Sequence, residues 1–149
     1  MKQTTLLLAL LLGAVSCKKD QQSPSKEPIA AAFSQEFTLN YQQTAHLPDV
    51  ANPTVRVLEQ DINDTRCPQR MTCFTPGFAE ATIRVWGSQS GDQAVTLRAA
   101  GDKSVPDSAY VQANGTRYTL LIRKIEPSPT ESEFAKKEQG RVTLRLIPR

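Results

Sequence analysis

Residues 81–87 read ATIRVWG: Ala81, Ile83 and Val85 alternate with Thr82, Arg84 and Trp86, and Gly87 closes the run. On a helix these three apolar positions would spread around the axis. On a strand, whose successive side chains point to opposite faces, they share one face. The segment is therefore a half-buried strand with an aliphatic side and a side carrying Thr, Arg and Trp. The same alternation recurs outward from it in both directions. EFTLNY (36–41) places Phe37, Leu39 and Tyr41 together, TVRVLEQ (54–60) places Val55 and Val57, and AVTLRA (94–99) places Val95 and Leu97. RYTLLIRKI (117–125) adds Tyr118, Leu120 and Ile122, and VTLRLI (142–147) adds Val142, Leu144 and Leu146. Two shorter strands are expected at Thr44–Leu47 and Ala109–Ala113. Ser90-Gly91-Asp92 has turn chemistry, and Asn114-Gly115 is the strongest short hairpin signal in the chain. About eight short strands with turns at this spacing predict one all-β domain over 33–149, an antiparallel β-sandwich of immunoglobulin-like arrangement.

One segment has a different character. SPTESEFAKKEQG (128–140) offers Ser128 as N-cap, Pro129 at the first helical position, Glu131 to complete a capping box and Gly140 to end a helix. Its only apolar residues are Phe134 and Ala135, so an ordered loop stands as the alternative to one short helix.

Four strands share a Thr-apolar-Arg-apolar pattern: 54–57, 82–85, 96–99 and 143–146. Their arginines, Arg56, Arg84, Arg98 and Arg145, face away from the aliphatic side. An exposed Arg keeps a sheet face soluble and discourages edge pairing. A row of them would alternatively meet an anionic glycan or lipid, which makes Arg84 and Arg98 candidate binding residues. Trp86 beside Arg84 is a possible binding anchor if exposed, with packing in the core as the stronger expectation.

The N-terminus reads MKQTTLLLALLLGAVSC. Lys2, an apolar run from Leu6 to Leu12 and small residues before Cys17 form the pattern of a secretory signal. The run is too short for a membrane span, which needs about 20 residues. Ala14-Val15-Ser16-Cys17 resembles the lipobox of bacterial lipoproteins, with Ala14 and Ser16 where Leu and Gly or Ala are commonest. The resemblance implies a signal peptide over 1–16 and a Cys17 carrying diacylglycerol on its thiol and an acyl chain on its amine. It also implies anchoring to the outer membrane, because Lys18 stands where inner-membrane retention uses Asp; the periplasmic or surface side stays open. Residues 17–32 then form an acylated cysteine and a flexible tether, since KKDQQSPSKEPIAAA lacks hydrophobic periodicity. The signal holds Lys2 alone of the 18 basic residues, against 15 acidic ones, so the mature chain is nearly neutral and no nucleic-acid partner is implied.

With Cys17 given to lipid, Cys67 and Cys73 in DTRCPQRMTC are the two remaining thiols of an extracytoplasmic chain, and they read as a disulfide. Free thiols are the alternative. A zinc site would need two further ligands, and the chain has only His46. A thioredoxin-like centre would need two intervening residues where five stand. Asp64 and Arg66 are expected to brace the start of this loop by an ion pair or turn bonds.

Catalytic signals are few. His46 has no nucleophile elbow near it, and a surface or turn-packed histidine is its expected identity. Asp61, Asn63 and Asp64 begin like a calcium loop but lack its glycine and its closing glutamate, so Asx-turn bonding is expected. No metal or cofactor is expected.

DTRCPQRMTCFTPGFAEATIRV is similar to a segment of small uncharacterised bacterial lipoproteins with Asp-Ser/Thr-Arg-Cys-Pro, four residues and Cys, matched here by Asp64, Thr65, Arg66, Cys67, Pro68, Cys73 and Gly77. Members often carry Trp two residues after the second cysteine, and this chain has Thr75. The resemblance implies a β-rich fold with a disulfide loop and carries no activity. The expected function is a lipid-anchored, non-catalytic envelope module that binds or supports an envelope protein or an anionic glycan or lipid. The alternative is an inhibitor presenting Arg70 and Met71 at the tip of the Cys67–Cys73 loop to an enzyme. A hydrolase is third.

Overall fold

The computed structural model describes residues 26–101, 104–130 and 134–149. The strands in chain order are β1 (Ile29–Ala30), β2 (Glu36–Asn40), β3 (Thr44–Leu47), β4 (Val55–Asp64), β5 (Ala79–Gly87), β6 (Gln93–Ala100), β7 (Ser108–Ala113), β8 (Thr116–Glu126) and β9 (Arg141–Pro148). They form two sheets, ordered β1-β3-β4-β5-β6 and β2-β9-β8-β7. β1 is parallel to β3, and the other pairs are antiparallel. β3 to β6 run as a meander in one sheet, and β7 to β9 run as a meander in the other, closed by β2. The expected all-β sandwich is present.

The alternation explains the core. Leu39, Val55, Val57, Ile83, Val85, Leu97, Leu120, Leu144 and Leu146 are wholly buried between the sheets. Fully burying such a side chain contributes roughly 1.5–3 kcal/mol. Two bulges interrupt the period. β4 slips against β5 between Glu59 and Asp61, and β8 slips against β9 between Ile122 and Lys124. Each extra residue resets the phase, so Glu59 and Ile62 both face inward, as do Ile122 and Ile125.

The strand directions define two ends. The upper end carries Val55, Gly87 and the Asn114-Gly115 turn, in which Asn114 has φ 49° and Gly115 φ 77°. Positive φ at both positions is what a tight primed hairpin turn requires. Asn114 then ties the two sheets together. Its Nδ2 donates to the Thr54 carbonyl at 2.8 Å, and its Oδ1 accepts from Gln89 N at 3.0 Å. The lower end carries Asp64 and Ala79, the loop between them, and the connection from β8 to β9.

The tether over 17–32 meets a different outcome in its last residues, and of the two readings of 128–140 the described residues do not show the helix. The chain is ordered before Phe33: Ile29 and Ala30 pair with Ala45 and His46, and Ala31 N donates to the His46 carbonyl at 3.0 Å. Main-chain pairing on a sheet edge needs no apolar periodicity in the added strand, so composition did not signal it. Between Ser128 and Gly140 the described residues hold a single 3-10 turn, Lys137–Gln139, preceded by Lys136 with no side-chain cap bond. A helix starting at Ser128 is not seen in the described residues, and 131–133 lie outside them. Phe134 is half exposed, so the segment has nothing to dock as a helix and little to offset the cost of nucleating one.

Candidate functional site

The outer face of the five-stranded sheet holds a cavity of about 350 Å³ lined by Leu58, Arg84, Trp86, Ser90 and Asp92. Register builds it. Arg56 stands opposite Trp86, and Leu58 opposite Arg84. On the other side of Arg84 is Ala94 of β6. The floor is thus Leu58 and the indole of Trp86. The wall is an ion pair between Arg84 of β5 and Asp92 of the β5–β6 turn. Both partners are about two-fifths exposed (41% and 45%), so the pair orients the wall more than it stabilises the fold. Ser90 is fixed in place, because its Oγ accepts from Gly87 N at 3.0 Å and Asn114 N at 3.3 Å.

Trp86 belongs to this face and not to the core. Val85 before it is wholly buried, and period two turns the next residue outward, where it is half-buried. The expectation of core packing for Trp86 is therefore overturned.

The four strand arginines do not share a face. Arg56, Arg84 and Arg98 lie on the five-stranded sheet, whereas Arg145 lies on β9 of the other sheet and donates to the Ser34 carbonyl. Arg98 is nine-tenths covered. Its guanidinium donates to Glu80 at 3.0 and 3.3 Å and to Ser104 at 2.9 Å, and it lies 4.5 Å from the Phe78 ring centroid. It braces the sheet edge, while Arg84 alone of the two candidate arginines lines the cavity. Acid partners thus neutralise two of the three arginines of this sheet, Glu80 for Arg98 and Asp92 for Arg84.

The second candidate surface is the lower loop. Cys67 and Cys73 are joined, with Cα atoms 6.0 Å apart. Two backbone bonds, Thr65 N to the Phe78 carbonyl and Cys67 N to the Pro76 carbonyl, carry the β4–β5 ladder past the sheet. The loop therefore projects along the strand axis. Arg70 and Met71 are exposed at its tip, as expected of a presented loop, and Phe74 is wholly exposed. Gly77 permits the return: its φ is +73°, and a Cβ there would sit 1.9 Å from the Thr65 carbonyl oxygen.

Arg66 fastens the loop's root. It donates through Nε to Asp64 Oδ1 at 2.8 Å and through Nη2 to Asp64 Oδ2 at 2.5 Å. Nη2 also reaches the carbonyls of Ile125 and Pro127 at 3.2 and 3.1 Å, on the other sheet. The Asx-turn bond expected of Asp64 is present, from Arg66 N at 3.2 Å. Asp61 instead accepts from Lys137 Nζ at 3.1 Å.

Because Arg66 holds the root independently, losing the disulfide should loosen the tip without unfolding the domain. A Cys67→Ser/Cys73→Ser variant is expected to lose about 2 kcal/mol of stability in urea unfolding, the chain-entropy value for so short a loop. A loss above twice that amount would mean that the bridge holds more than its own loop.

His46 lies on the outer face of β3 opposite Arg56, and its Nδ1 is buried without a hydrogen-bond partner among the described residues. Among the described residues no group of three or more His, Cys, Asp or Glu is placed to hold a metal ion. No described helix is long and apolar enough to cross a membrane. Cys17 lies outside the described residues.

Sequence reasoning missed Leu58, Ser90 and Asp92 in the cavity, Phe74 on the loop, and Glu59. Only Glu59 carried a usable signal, an acid in phase with Val55 and Val57. The small β-sandwich thus carries no evident catalytic cluster among its described residues. Comparison with known proteins finds no family model, no curated protein and no solved structure that matches the chain.

Proposed function

We propose that the protein is a lipid-anchored, non-catalytic module of the bacterial envelope that binds another envelope component at the Trp86 cavity. The observation that carries this reading is the placement of Trp86. The only tryptophan of the chain stands outside the buried core and floors an open cavity beside Leu58 and an oriented Arg84–Asp92 pair. A half-buried indole with an apolar neighbour and a polar wall is how interface anchors are built. At about 350 Å³ the cavity stands at the small end of the range of ligand pockets, and because it is open to solvent it suits one inserted side chain or one sugar ring better than an engulfed molecule. Pairing of Arg84 with Asp92 and of Arg98 with Glu80 leaves Arg56 as the strand arginine of this face without an acid partner among the described residues, which favours a mixed ligand surface over a polyanion.

The anchor half of the proposal is supported by the lipobox-like segment ending at Cys17. Incorporation of labelled glycerol by the full chain, and its loss in Cys17→Ser, tests that half. The binding half is tested by crosslinking the lipidated protein in its native membrane and recovering what it holds. Trp86→Ala is expected to reduce recovery of the crosslinked partner by about 30-fold, the loss typical of a central anchor. Equal recovery with wild type and Trp86→Ala would move the site elsewhere.

A further inference from the structure

Five large hydrophobic side chains are exposed among the described residues: Val50, Met71, Phe74, Tyr110 and Phe134. Three of them sit at the lower end of the sandwich. Met71 (41% exposed) and Phe74 (104%) are on the disulfide loop, and Phe134 (50%) is on the β8–β9 connection. These two segments are joined at their roots by Arg66, which reaches Pro127 O and Ser128 Oγ. Val50, in contrast, is in the β3–β4 loop at the upper end, and Tyr110 lies on the edge strand β7 under Arg149.

The N-terminal chain enters at the same end. β1 runs parallel to β3, with Ile29 beside Ala45 and, across β3, Val57. Going back from Ile29, the chain descends toward Glu59. Gln43 Nε2 donates to the Glu27 carbonyl at 2.7 Å, and Lys26 Nζ donates to Gln42 at 2.9 Å. Lys26 is nine residues from Cys17 in the sequence, a separation of at most about 30 Å for any path of the chain.

From this shared end we infer that the lower end of the sandwich is a membrane-contacting surface, with Met71, Phe74 and Phe134 seated in the interfacial layer of the lipid bilayer to which Cys17 is anchored. The inference rests on the lipid-anchor reading. Three apolar side chains bind a membrane weakly on their own, but a tether of this length makes the contact intramolecular and supplies a high effective concentration. The disulfide and Arg66 hold the loop in shape, so little ordering is lost on contact. The same orientation carries the Trp86 cavity away from the lipid. Trp86 pairs with Arg56, eight residues up β4 from Asp64, a rise of roughly 25 Å.

Trp86 is the only tryptophan and reports on the far end, which gives the experiment its internal control. The lipidated full chain is reconstituted in phosphatidylethanolamine/phosphatidylglycerol vesicles containing bromine-labelled acyl chains. Wild-type emission, from Trp86, is expected to stay unquenched. In Trp86→Phe/Phe74→Trp, a change at a wholly exposed position, emission is expected to be quenched severalfold and shifted to the blue. A chain that floats with the vesicles but shows no quenching at position 74 overturns this inference alone. A chain that takes up no glycerol at Cys17 and does not float overturns the anchor reading and this one with it. An unquenched position 74 whose emission shifts on adding trypsin, for which Arg70 is a matching side chain, assigns the loop to enzyme inhibition instead.

Discussion

Arg66→Ala is expected to destabilise the domain by about 3–5 kcal/mol, read as a lower urea midpoint with unchanged slope. The size follows from what is left behind. The Asp64 side chain is 3% exposed and would keep its charge out of water with its ion-pair partner gone. The carbonyls of Ile125 and Pro127 would lose a charged donor in the same step. Breaking a buried pair by deleting one member is costly because the other remains desolvated, which is a larger effect than the net worth of the pair. Arg66→Lys should recover less than half of the loss, since an ammonium cannot hold both carboxylate oxygens and also reach carbonyls on the opposite sheet. An Asp64→Ala/Arg66→Ala double variant should be less destabilised than the sum of the single changes by about 2 kcal/mol or more. Additive losses would show that the two side chains act separately.

Glu59 should make stability fall as pH rises from about 5 to 8. Its carboxyl is wholly buried; Oε2 accepts from Gln42 N at 2.7 Å, and Oε1 has no partner among the described residues. Burial pushes the carboxyl from its ordinary 4.5 up to about 7, with the Gln42 bond opposing, Asp61 adding to the rise and Lys137 opposing it. A group whose folded value is raised stabilises fully below its unfolded value and loses that contribution as pH rises through the folded one. The window is therefore about 4.5 to 7, and the loss approaches 3 kcal/mol by pH 8. Glu59→Gln keeps the shape and an acceptor for Gln42 N but cannot ionise. It should match wild type near pH 4.5 and be about 3 kcal/mol more stable at pH 8. Taking the difference between the two proteins at each pH cancels the groups they share. Parallel pH curves would mean that Glu59 stays ionised or that water reaches it.

The Glu59 carboxylate also explains a local geometry. The β2–β3 turn brings Gln42 to a φ of 60°, and its N–H points at Glu59 while Gln43 bonds Asn40 N and the Glu27 carbonyl. One inward acid thus holds the place where the chain crosses from one sheet to the other.

The strand pattern could be read from residues alone because the side-chain period of two is a property of the extended backbone and needs no partner. Leu39, Val57, Ile83, Leu97, Leu120 and Leu144 point inward as their spacing required. The Asn114-Gly115 turn was legible because it depends on residue type over a short stretch, and the Cys67–Cys73 bridge because two thiols remained once Cys17 was set aside. Tertiary structure decided the rest. The bulges at Glu59 and Ile122 reset the period through register with β5 and β9, which no local rule carries. The strand arginines looked alike in sequence, yet Arg98 is covered, Arg84 lines a cavity and Arg145 sits on the opposite sheet. Arg66 reaches carbonyls about sixty residues away in the chain, and Trp86 gained a cavity because strand pairing set Leu58 beside it and the β5–β6 turn brought Ser90 and Asp92 to it. Alternation specifies which side of a strand is apolar. Only the pairing of distant strands specifies what stands beside each side chain, and that adjacency, set by burial of the whole core, makes the site.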